Sequence, residues 1–87
     1  MKAATVLATA SNLVSGDRAQ THGDAKAGFD DIARYWSEYL NVTVSAKDAA
    51  LMMALLKIAR THRGSRNDDD FIDAAGYIAL AAEVSDA

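Results

Sequence analysis

The chain contains no cysteine, which excludes a disulfide framework and any thiolate-held metal. It contains no proline either, so polyproline ligands, rigid linkers and proline-punctuated short strands are excluded. No apolar run approaches the roughly 20 residues needed to cross a bilayer. The first ten residues carry a single lysine, and their apolar stretch is broken by Thr5 and Thr9. A secretory leader needs roughly 7–15 continuous apolar residues. The segment therefore reads as a helix of the fold, and the expected location is the cytoplasm. A basic excess is also missing. Nine Lys and Arg stand against twelve Asp and Glu, a net charge of −3. That balance argues against a general nucleic-acid or membrane-surface binder.

What is present is a globular composition, 51% hydrophobic and 24% charged, with much of the apolar part alanine, the best helix former. Eighty-seven residues suggest one domain, 1–87, burying about 60–65% of the surface of its unfolded chain. Four helical segments are expected. The first runs over about residues 3–14 with an apolar stripe at Val6, Leu7, Ala10, Leu13 and Val14, and Gly16 is placed for a left-handed cap. A polar loop follows. The second starts behind Asp24 as N-cap and lines up Phe29, Ile32, Ala33, Trp36 and Leu40 as the main wall of the core. Asp30 and Arg34 are an i,i+4 pair. Asn41 to Val44 form a connection.

The third helix opens on Ser45 and Asp48, spaced as a capping box with aspartate in place of glutamate. Ala49 to Leu56 is an unbroken apolar run, which reads as a helix covered on more than one side. The fourth begins at Asn67 and three aspartates, favoured by the positive end of the helix dipole. Gly76 inside it costs about 1 kcal/mol against alanine, a cost offset by close approach of another helix. The expected architecture is all-α, a compact antiparallel bundle of about four helices. Two helices apolar on more than one face exceed what a monomer of this size covers, so a homodimer built on the third and fourth helices is expected.

The candidate site lies on the hairpin of those two helices. Counting back from their turn reaches Arg60 and Lys57, and counting forward reaches Asp70, Asp73 and Tyr77. Asp73 interrupts an apolar helix, where an unpaired carboxylate is expensive. One reading is a salt-bridge network that sets the register of the hairpin. The other is a polar site. Carboxylates at i,i+3 or i,i+4 can hold Mg²⁺, so Asp69, Asp70 and Asp73 would be the metal ligands, with Lys57 and Arg60 on phosphates. Asp31 and Glu38 share a face of the second helix, but Asp31-x-x-Arg34 spoils an acid–x–x–acid pair there. His22 and His62 lack zinc-site spacing. Asp17, Arg18, His22 and Asp24 make a loop of fixed turns and a capped helix start. Asp24 puts negative charge where a phosphate loop would hold its anion. No G-x-S-x-G elbow is present. Lys57, Arg60, Arg63 and Arg66 drift around the helix and meet Asp68, Asp69 and Asp70 at once, a pattern of mutual neutralisation.

Three stretches in order, Gly16-Asp17-Arg18-x-x-x-His22-Gly23-Asp24, Leu55-Leu56-Lys57-x-x-Arg60 and Asp70-x-x-Asp73-x-Ala75-Gly76-Tyr77, with Trp36 between, resemble a family of small uncharacterised helical proteins of bacteriophages and prophages. The resemblance covers about residues 13–83 and implies a phage-derived gene product, with no activity attached. More remotely, Asp70-x-x-Asp73 is similar to one of the two acid pairs of MazG-type nucleoside triphosphate pyrophosphohydrolases, which bind Mg²⁺ through both. The second pair is missing here. Two functions follow as expectations. One is an accessory protein without cofactor that binds a host or phage protein, with inhibition of a host defence complex as its task. The other is a Mg²⁺-dependent nucleotide hydrolase or nucleotide binder.

Overall fold

Short-range hydrogen bonds at the helix starts set the element boundaries. The computed structural model describes residues 1–17 and 24–85. Helix α1 spans Ala3–Asn12, α2 Ala25–Leu40, α3 Ala46–Arg60 and α4 Asp68–Ser85. No strand occurs among the described residues, so the all-α class is met with four α-helices. Asp24 caps α2 by accepting the Lys26 N–H at 3.2 Å. The Ser45 hydroxyl accepts the Asp48 N–H at 3.0 Å, while the Asp48 carboxylate accepts the Ser45 N–H at 3.3 Å. That closes the capping box of α3. Asn67 opens α4 by accepting the Asp69 N–H on its side chain.

The connections are equally local in origin. Asn41 ends α2 in the left-handed conformation, φ 57°, a geometry asparagine tolerates better than most residues. The Ser37 hydroxyl then accepts the Val44 N–H at 2.8 Å and donates to the Val44 carbonyl, pinning the α2–α3 connection. Gly64, at φ +71°, turns the chain between α3 and α4.

The core is built on α4, which packs most extensively on α3 and also meets α1 and α2. Phe29 is 1% exposed and is surrounded by small residues, Ala33, Ala46, Ala49, Ala50 and Ala81, with Leu80 and Val84. Alanines at these positions let the helix axes approach closely. Tyr77 meets Phe29 edge-on, ring centroids 6.2 Å apart.

Several expectations are corrected. Gly16 takes no left-handed cap. Instead α1 passes into a π-helical turn over Leu13–Asp17, and Val14 reaches α4 from it. A Cβ built on Gly76 would stand 3.4 Å from Val14 Cγ1, an ordinary contact, so the helix approach there is real but leaves room for a methyl group. Asp30 pairs with Lys26 at 2.7 Å rather than with Arg34, and Arg34 turns to Asp31 at 3.0 Å. Leu40 is exposed rather than part of the core wall. Helix α3 is not covered on every side. It packs on α4 and α2 through Ala46, Ala49, Ala50 and Ala54 and turns the opposite face outward.

Candidate functional site

Helices α3 and α4 run as a hairpin whose charged side chains pair across the interface. Lys57 Nζ lies 3.0 Å from Asp73 Oδ2, both side chains mostly buried. One turn nearer the loop, Arg60 Nε lies 3.2 Å from Asp70 Oδ1, where Asp70 is 8% exposed and Arg60 55%. Arg66 and Asp68 pair at 2.9 Å beside the turn. Three of the four recurring cations therefore meet an acid of α4. The Arg66 side chain holds Asp68 below the usual carboxylate range. Arg66 also lies over the Phe71 ring, 5.2 Å from its centroid, a favourable cation–π placement.

The structure places Lys57 beside Asp73 and Arg60 beside Asp70. Tyr77, one turn beyond Asp73, is partly buried and packs edge-on to Phe29 against the core. Asp69 is exposed at the start of α4. Among the described residues no three His, Cys, Asp or Glu side chains are grouped so as to hold one ion. Beside Arg60 and Asp70 a shallow, open groove of about 520 Å³ runs past Leu56, Arg63 and Asn67. Arg18 and His22, with the side chain of Asp17, lie outside the described residues, and Asp24 serves as the cap of α2.

The chemistry this hairpin performs on its own terms is electrostatic clamping. Each acid of α4 that faces α3 meets a cation there, so the two helices cannot slide by a turn without leaving a carboxylate of low exposure unpaired. An uncompensated buried charge is strongly destabilising.

A second feature lies on the other side of α3. Leu51, Met52, Leu55, Leu56 and Ile58 are all substantially exposed, Leu55 at 62%. They recur at i, i+3/i+4 and i+7 along one outward face. Monomeric proteins rarely expose contiguous apolar patches beyond a few hundred Å² without a binding role. Tyr35 and Tyr39 on α2 are 73% and 88% exposed, and Leu40 at its end and Val42 beyond it are exposed as well. Composition hinted at this excess of apolar helix, but the particular residues were missed. For the tyrosines the available signal was their i,i+4 spacing outside the Phe29–Ile32–Trp36 stripe.

Fold and site together define a small all-α protein with a charge-clamped helical hairpin and an uncovered apolar face on α3. Its relatives place it further. The family described as a domain of unknown function (DUF6378) matches residues 5–85, and the chain belongs to that family. It is 42% identical over 74 residues to the Gene 55 protein of Mycobacterium phage L5, covering 84% of this chain and 47% of that protein. To the Gene 55 protein of Mycobacterium phage D29 it is 38% identical over 73 residues, covering 84% and 48%. The chain thus spans about half the length of these curated relatives. The resemblance to a small phage family is met, while the remoter likeness to MazG-type hydrolases gains no support from these matches. No solved structure matches. No helix among the described residues is long and apolar enough to cross a membrane.

Proposed function

We propose that this chain is a phage-encoded helical accessory protein that acts by protein association and not by catalysis, with the outward face of α3 as its association surface, in the host cytoplasm. The carrying observation is that face: five large apolar side chains exposed in helical register on a folded, well-capped helix. Exposing them costs free energy that burial against a partner recovers, at about 25 cal/mol per Å². Its relatives are phage gene products, which makes interference with a host or defence complex the natural task for such a protein. The acidic balance of the chain favours partners with basic margins.

The hairpin charges support the same reading from the other direction. Asp70 and Asp73 already have cations at hydrogen-bonding range, so a Mg²⁺–nucleotide site would first have to break both pairs. The test is affinity capture from phage-infected host lysate, with Leu55→Glu as the control that keeps the fold but not the face. Proteins held in near-stoichiometric yield by the wild type and lost with Leu55→Glu are the expected outcome. Capture unaffected by Leu55→Glu, or Mg²⁺-dependent turnover of a nucleoside triphosphate that disappears in Asp73→Asn, would overturn the proposal.

A further inference from the structure

Resting on the reading of α3 as an association surface, we infer that the occupant of that face is a second copy of this chain, paired antiparallel across a two-fold axis at Leu55. Three observations point to a second copy. The first is area. The accessible surface is 5990 Å², whereas a folded monomer of 9.2 kDa is expected to expose about 4,900 Å². The excess over the whole surface is about 1,000 Å², and the exposed Leu51, Met52, Leu55, Leu56 and Ile58 contribute to it; a stable interface takes about 800 Å² from each partner.

The second observation is register. An isologous interface must be complementary to itself. A two-fold axis at Leu55 sets Met52 level with Ile58 of the second copy and Leu51 level with Ala59. Large apolar side chains therefore meet apolar ones along the whole contact. The stripe Leu51/Met52, Leu55 and Ile58/Ala59 alternates steps of three and four, the spacing of a two-helix seam.

The third is charge. The same axis sets Asp48, at the exposed start of α3, toward the basic turn that follows α3 of the second copy, where Arg63 lies. Acid meets base at both ends of the seam, and the two helix dipoles oppose each other. A parallel pairing would instead stack Asp48 on Asp48 and the basic turns on each other.

The test is sedimentation equilibrium of the wild type and Leu55→Glu, followed by single-cysteine cross-linking, which the cysteine-free chain permits. The wild type is expected at twice its chain mass in the micromolar range. Leu55→Glu places two carboxylates on the axis and is expected to weaken association by about 100-fold. Leu55 is 62% exposed, so circular dichroism of Leu55→Glu should match the wild type. When oxidised together, Met52→Cys and Ile58→Cys are expected to give the mixed 52–58 disulfide. A wild type that stays monomeric at hundreds of micromolar overturns the inference, and so does a Leu55→Glu dimer as tight as the wild type. Homodisulfides at 52 without the mixed species overturn the antiparallel pairing. If the wild type is monomeric yet its captured lysate partners are lost in Leu55→Glu, the second copy is refuted while the association surface stands.

Discussion

Changing Asp70 to asparagine keeps the shape of the side chain and removes its charge. The carboxylate is 8% exposed and 3.2 Å from Arg60 Nε. Breaking a fully buried pair by removing one partner costs about 3–5 kcal/mol. Here the cation is 55% exposed, so water takes over the stranded guanidinium and much of that penalty disappears. What remains is the difference between a charge-assisted and a neutral hydrogen bond, about 1 kcal/mol. The first-turn dipole of α4 adds about 0.3–1 kcal/mol. The expected destabilisation is therefore about 1–2 kcal/mol, each kcal/mol lowering the melting temperature by about 4–8 °C in a domain of this size. Arg60→Met strands the buried partner instead of the exposed one, and is expected to cost more, about 2–3 kcal/mol. The double variant should cost less than the two singles together, with a coupling of about 1 kcal/mol. Thermal and urea unfolding followed by circular dichroism measure all three, at one protein concentration because self-association adds to apparent stability. A ligand site gives the opposite sign, because crowding like charges for a ligand destabilises the unliganded fold. If Asp70→Asn raised the melting temperature, the clamp argument would be wrong.

Two further outcomes follow from single positions. Gly76→Ala is expected to raise stability by up to about 1 kcal/mol, since the added methyl meets Val14 at ordinary contact distance; a loss of more than about 1 kcal/mol in urea unfolding would mean that α1 has no room to give. Asp48 is held below the usual carboxylate range by the backbone N–H of Ser45 first and its hydroxyl second. Its contribution is therefore full above the unfolded value of about 3.9 and is lost as pH falls through the lower folded value. The melting difference between wild type and Asp48→Asn should be constant near neutrality and vanish in acid; a difference that grew as pH fell would contradict the cap.

How much of this was legible in the sequence depends on the range of the interaction involved. Ser45 and Asp48, or Asp24 before α2, act over two or three residues, so identity and spacing suffice to place them. The Lys57–Asp73 and Arg60–Asp70 pairs were legible for a related reason. A short turn and helical periodicity leave few partners for an acid inside an apolar helix. The π-helical turn at Leu13–Asp17 was not legible, because its Val14 answers to Gly76 some sixty residues away. Nor was the open side of α3. An unbroken apolar run from Ala49 to Leu56 shows that both faces are apolar, but not that α4 and α2 would cover only the alanine-rich one. Tyr77 shares a helical face with Asp73 and was grouped with it for that reason. Its ring packs edge-on to Phe29 against the core, where the aromatic body finds apolar neighbours.

The central claim separates two faces of one helix: charges that clamp the hairpin inward, and apolar side chains that bind outward. Sedimentation velocity on two variants side by side tests that separation most directly. Lys57→Met with Asp73→Leu replaces an inner pair by apolar groups of similar volume, which is often tolerated, and Leu55→Glu alters only the outer face. The account predicts wild-type association for the double replacement and monomer for Leu55→Glu, both with native helical content. Association lost in the double replacement and retained in Leu55→Glu would contradict it, and would move the functional weight to the charged hairpin.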